Sequence, residues 1–171
     1  MKYPVVYITL EIASRELNSK LLLANKLAEN GFYVIIGSKF FVRRLSKINP
    51  KGLIIEKSLS PENEILYSKL VSNKHKICAF DEEGLVYYDT NDYISRRISI
   101  ENLKKLEYYF SWGSRNTSDI SNFAGKKLSK KIIDSGHPRM EILSNKNRSL
   151  FMDEVDCIKK EVGKFILVNS R

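Results

Sequence analysis

The sequence predicts a doubly wound parallel α/β sheet, and three observations carry that prediction. Short runs rich in Val, Ile, Tyr and Phe recur along the chain, bounded by Gly, Pro, Ser or Asn. Between them lie segments whose apolar residues return every three to four positions, as the buried stripe of a helix does. Charged clusters follow directly on three of the runs, at the strand ends that open into a ligand crevice in such sheets.

Residues 4–9 form the first strand, with Val5, Val6, Tyr7 and Ile8 reading as buried. From Glu16 the pattern is helical, since Leu17, Leu21, Ala24 and Ala28 are spaced to share one face, and Gly31 stops it. Residues 32–36 are a second buried strand. Ser38 then caps a helix with Phe41, Leu45 and Ile48 on its inner face, closed by Asn49-Pro50-Lys51-Gly52. Residues 53–55 are a third strand, and Ser60-Pro61-Glu62 starts a helix running to about Ser72.

Residues 75–80 are the fourth strand, ending in Asp81-Glu82-Glu83-Gly84. A tyrosine-rich segment with one or two short helices leads through Lys105 to a fifth strand at 108–112, and Gly113-Ser114 starts another helix. Residues 132–134 are a sixth strand, followed by Ser135-Gly136-His137-Pro138-Arg139. A last helix covers 150–162. The β-prone 165–168 then reads as the start of a further βα unit, which sets the expected boundaries: a Rossmann-like domain over 1–163, and 164–171 as the first strand of a second domain.

Composition narrows the function classes. A chain of 171 residues, 43% hydrophobic, suffices for one sizeable core. Met1-Lys2-Tyr3-Pro4 passes into a strand without a signal-peptide pattern, and no apolar run nears the roughly 18 residues of a membrane span, so a cytoplasmic protein is expected. Cys78 and Cys157 lack metal-ligand or redox spacing and read as buried free thiols. The net charge of +9 suits a polyanion or an anionic membrane, but no nucleic-acid motif accompanies it, and a solvated surface is the simpler reading. Lys39-Phe40-Phe41-Val42-Arg43-Arg44-Leu45-Ser46-Lys47 has the composition of an interfacial helix, although packing on the sheet explains Phe41 and Leu45 equally well.

The charged clusters are Glu11, Arg15 and Glu16 after the first strand, Asp81, Glu82 and Glu83 after the fourth, and His137 and Arg139 after the sixth. In a parallel sheet all three share one edge. A carboxylate there can accept a proton from an attacking hydroxyl, and an arginine can hold a phosphate. Each cluster also has a plainer reading. Glu16 can favour a helix N-terminus with Arg15 as its surface partner, residues 81–84 can be a solvated loop, and His137-Pro138-Arg139 can be a turn. The tyrosines at 87, 88, 108 and 109 and Trp112 read as packing residues. Phosphate-binding glycine loops, a nucleophile elbow and a His/Cys metal set are absent from the sequence, so no metal or cofactor is expected.

The chain resembles the bacterial surface carbohydrate (surface polysaccharide) biosynthesis proteins. It is more distantly similar to CDP-glycerol glycerophosphotransferases and Kdo transferases, which share a two-domain GT-B architecture. The resemblance rests on Glu11-x-x-x-Arg15-Glu16-Leu17-x-Ser19-Lys20-Leu21-Leu22-Leu23-Ala24, Val34-Ile35-Ile36-Gly37 and Asp81-Glu82-Glu83-Gly84-Leu85-Val86-Tyr87. Phe110-Ser111-Trp112-Gly113 and Gly136-His137-Pro138-Arg139 complete it. It covers nearly the whole chain but only the N-terminal half of the family's plan. Asn18 stands where an acid is expected, and His137 where Asn or Tyr is more usual.

The resemblance implies the acceptor-binding N-terminal domain of a nucleotide-sugar-dependent glycosyltransferase-like protein. Glu11 would be the catalytic base. Arg15, Glu16, Asp81, Glu82, Glu83 and Gly84 would lie along the interdomain cleft, with His137 near the hinge and Arg139 contacting a phosphate. The acceptor would be a carbohydrate or a lipid-linked carbohydrate, met in the cytoplasm or at the inner face of the membrane. A domain or partner chain beyond these residues would bind the nucleotide-sugar donor, so little or no turnover is expected of the chain alone. A non-catalytic binding module that keeps the half-fold is the alternative.

Overall fold

A computed structural model describes residues 4–48 and 50–168. Six strands form one all-parallel sheet: β1 (Val5–Leu10), β2 (Tyr33–Ser38), β3 (Leu53–Glu56), β4 (Lys76–Phe80), β5 (Tyr108–Ser111) and β6 (Ile132–Asp134). Their spatial order is β2-β1-β3-β4-β5-β6. The fold is therefore α/β, doubly wound and Rossmann-like, as the alternation of strand and helix patterns predicts.

Strand side chains alternate between the two faces and build two cores. Val5, Tyr7, Ile54, Ile77, Tyr109 and Ile132 pack under α2 (Lys39–Ile48), α3 (Glu64–Ser72), α4 (Thr90–Arg97), α5 (Ile100–Lys105) and α6 (Ser114–Leu128). Val6, Ile8, Ile55, Phe80 and Phe110 face α1 (Ala13–Glu29) through Leu23, Ala24 and Leu27. The short α7 (Pro138–Glu141) packs beside α1.

Several sequence expectations change in three dimensions. Of the expected inner face of α1, Ala24 is buried, but Glu16, Ser19 and Lys20 take the inner positions in place of Leu17 and Leu21, and Ala28 is not buried. A buried ion pair takes the inner position in the first turns, so Leu17 and Leu21 turn outward. Similarly, α2 points Val42 and Ser46 inward and leaves Phe41 and Ile48 exposed. β2 is a half-exposed edge strand, because β1 is its sole strand neighbour among the described residues. It extends through Ser38, whose Oγ still accepts the Phe41 N–H at 3.4 Å in the expected capping role. Asn49 lies outside the described residues.

At the C-terminal end, a 3-10 turn over Asn145–Phe151 precedes α8 (Met152–Val162), which buries no side chain. Cys157 is consequently exposed, unlike buried Cys78. Residues 165–168 are irregular and exposed, because a β-prone segment becomes a strand only where a neighbour takes its backbone hydrogen bonds. Residues 169–171, like 1–3, are outside the described set.

Candidate functional site

From β1 the chain crosses to β2 on one side, while β3 lies on the other, so the loops after β1 and β3 diverge at the C-terminal edge. This topological switch point is where open parallel sheets bind ligands. A cavity of about 430 Å³ opens there. Glu11 after β1, Lys39 at the start of α2, and Lys57, Ser58 and Ser60 after β3 line it, together with Glu82 and Glu83 after β4 and Arg96 and Arg97 from the last turn of α4. The Glu11 side chain is 40% exposed, pairs with Lys57 and has the Lys39 ammonium 3.7 Å away.

Beneath the cavity a buried chain of charges joins the three sequence clusters. The Glu16 carboxylate reaches back to accept the Glu11 N–H at 3.0 Å and the Ile12 N–H at 3.3 Å, satisfying two donors at the start of α1. Burial pushes its carboxyl up, but hydrogen bonding and charge from Lys20, helped by the Ile12 N–H and Arg15, bring it below the usual range. Lys20 Nζ lies 2.8 Å from Glu16, 2.7 Å from the Thr9 carbonyl and 3.1 Å from Glu82. Glu82 in turn faces His137 Nε2 at 3.4 Å. Glu16, Lys20, Glu82 and His137 are all buried.

A second clamp fixes the loop after β4. Arg97 grips Asp81 at 2.5 and 3.0 Å, and the Tyr93 hydroxyl donates to the same carboxylate at 3.1 Å. These bonds raise Arg97 above its ordinary range; burial first, then the Asp81 charge, pushes the Tyr93 phenol up. Arg97 also reaches Glu83 at 3.3 Å, and Arg15 lies 3.7 Å from the same residue. A Cβ on Gly84 would lie 2.2 Å from Asp81 Oδ2 and 2.9 Å from the Tyr93 hydroxyl, so hydrogen is the largest substituent that leaves the clamp closed. Gly84→Ala is expected to lower stability by about 1 to 3 kcal/mol, the usual range for overpacking. Urea denaturation measures it, and an unchanged midpoint would refute the need for glycine.

His137 is placed by packing. Its Nδ1 accepts the Arg139 N–H at 3.1 Å, capping α7 and leaving the ring proton on Nε2, toward Glu82. The ring stacks on Trp112 at 4.3 Å and 14° and meets Phe80 edge-on at 5.4 Å. Burial, with the charges of Arg139 and Lys20, lowers the imidazole to about 4 against the opposing pull of Asp81 and Glu16. Trp112 Nε1 donates to the Asp81 carbonyl at 2.5 Å, and Arg139 donates to the Glu82 carbonyl at 3.2 Å.

The expected site residues thus fall into two layers. Glu11, Glu82 and Glu83 line the cavity, whereas Arg15, Glu16, Asp81, Gly84, His137 and Arg139 form the scaffold around it. The Arg139 guanidinium turns toward the Glu82 backbone and is not part of the cavity lining. Trp112 packs, as expected of it, and Lys20, Lys57 and Arg97 are the residues that sequence reasoning did not assign to the site. Lys57 had a signal, since it follows β3 directly, and Lys20 stands four residues after Glu16 on one helix face. Arg97 has none, because its partner Asp81 lies 16 positions away across a loop.

Among the described residues no group of three or more His, Cys, Asp or Glu converges on a metal-binding position, and no helix is long and apolar enough to cross a membrane. What the geometry defines is a Rossmann-like α/β domain with a polar switch-point cavity. Comparisons with protein-family models, curated proteins and solved structures find no match.

Proposed function

We propose that the chain is the acceptor-binding half of a nucleotide-sugar-dependent, glycosyltransferase-like protein of surface carbohydrate biosynthesis, working in the cytoplasm. The observation that carries this reading is Glu11 on the wall of the switch-point cavity, beside Lys57, Ser58, Ser60 and Arg96. A lining of interleaved carboxylates, cations and hydroxyls suits a polyhydroxyl ligand bearing phosphate. Sugar hydroxyls donate to the carboxylates, while phosphate oxygens accept from the ammonium and guanidinium groups. A volume of about 430 Å³ is adequate for a ligand of that size.

In the reaction, an acceptor hydroxyl attacks the anomeric carbon of the donor. Glu11 takes the hydroxyl proton as the new C–O bond forms, and the old bond to phosphate breaks with its electron pair leaving on the nucleotide. Lys57 keeps the Glu11 carboxylate in place until the hydroxyl displaces it. The donor is held by a domain or chain other than the one described.

The same Lys57 contact favours a second reading, in which Glu11 and Lys57 form a structural pair and the domain only binds. Two measurements separate them. Titrating the chain with a panel of sugar phosphates by NMR should give saturable shifts around residues 57–60, weakened at least about tenfold by Lys57→Met, as loss of a charge-assisted contact predicts. In a chain joined to a donor-binding domain, Glu11→Gln should lower turnover by roughly 10²- to 10⁴-fold, the usual contribution of a general base. Unaltered turnover would remove Glu11 as the base, and ligand binding without turnover in the joined parent would leave the binding-module reading.

A further inference from the structure

We propose that the outer face of α2 docks this protein on an anionic lipid surface. The face consists of Phe40, Phe41, Arg44, Lys47 and Ile48, which at 100° per residue fall within an arc of about 120°. Phe40 is 68% exposed, Phe41 64% and Ile48 80%, so the sheet accounts for none of these bulky side chains. Val42 and Ser46 make the contact with the fold instead. The two phenylalanine rings lean on each other edge-to-face at 5.7 Å, presenting one apolar ridge.

The charges on this helix are sorted. Arg43 is turned inward to Glu56 at 2.8 and 3.1 Å, and Lys39 toward Glu11. Arg44 and Lys47 stay on the exposed side with the phenylalanines, and α2 contains no acidic residue. An apolar ridge flanked by cations, without a carboxylate, is complementary to a lipid surface that offers acyl chains below a layer of phosphates. Phe40, Phe41 and Ile48 would enter the headgroup boundary while Arg44 and Lys47 meet lipid phosphates. Because α2 begins at Lys39, on the cavity wall, docking there holds the switch-point cavity close to the bilayer. The docking face does not depend on how that cavity is used.

The test is flotation of the purified chain with vesicles of phosphatidylcholine alone and of phosphatidylcholine with phosphatidylglycerol. Binding is expected only to the anionic vesicles and should weaken with salt. Arg44→Gln with Lys47→Gln should lower partitioning about 30-fold, from roughly fivefold per cation. Phe40→Ser with Phe41→Ser should lower it on the order of tenfold or more, through lost apolar burial. All four side chains face solvent, so the circular dichroism and melting of these variants should match the parent. Lys126→Gln with Lys127→Gln removes the same charge from α6 and should bind as the parent does. Equal loss on neutralising α6, or no binding to anionic vesicles, overturns the proposal. So does binding of a single-stranded oligonucleotide with the same variant dependence and no vesicle binding, which would assign the face to nucleic acid.

Discussion

Replacing Lys20 with alanine should destabilise the fold by about 3 to 5 kcal/mol, the range for removing one partner from a buried ion pair. Its ammonium is the single cation within 3.1 Å of both Glu16 and Glu82 among the described contacts, and it also satisfies the Thr9 carbonyl. Without it two carboxylates remain buried against the C-terminal edge of the sheet. For a chain of this size the loss corresponds to a melting temperature lower by on the order of 10 °C. Adding Glu82→Gln to Lys20→Ala should recover part of it, since one uncompensated charge is then gone. A single-variant loss below about 1 kcal/mol would mean that water reaches the pair and that the network is not a buried one.

The second large effect is on pH. His137 is neutral in the folded state, with its imidazole lowered to about 4, while the unfolded chain titrates near 6.5. Between those values the unfolded state binds more protons, so folding weakens as pH falls. The contribution is complete above about pH 6.5 and is lost as pH falls toward 4, the loss by then being about 3 kcal/mol. His137→Gln should flatten this part of the stability profile relative to the parent. The direct readout is the His137 imidazole resonance, one of two in the protein, which should stay at its neutral position down to pH 5. A midpoint near 6.5 would show that the ring is solvated and that its stacking on Trp112 does not shield it.

How legible the site was varied with how local its cause is. Glu11, Glu82 and Glu83 were readable because a strand's end announces the loop that follows it, and parallel strands bring such loops to one edge. The roles within that edge were not. Glu16 looked equally like a helix-terminus acid and a site residue, and in the structure it caps the backbone of Glu11 and Ile12 while anchoring Lys20. Asp81 reads equally as a solvated loop acid and a site residue, and in the structure Tyr93 and Arg97 of α4 close over it. Long-range partners of this kind leave no spacing signature. The inner faces of α1 and α2 differ in part from the periodic reading because an amphipathic pattern with apolar residues on several sides fits more than one rotation. The neighbours decide which rotation is used.

By itself, then, the sequence determined the α/β class, the number of strands in the sheet and the edge on which polar loops gather. These follow from alternation, turn residues and β-branched runs, all of them properties of neighbours along the chain. Tertiary structure alone decided the strand order, hence the switch point and its cavity, and the choice of Lys20 and Arg97 as the cations that neutralise the buried acids. It also decided that Phe40 and Phe41 face outward. The physical reason is common to all of these: they depend on which surfaces compete for burial once distant segments meet, and the face of α2 that meets the sheet carries Val42 and Ser46, with the two phenylalanines on the other side.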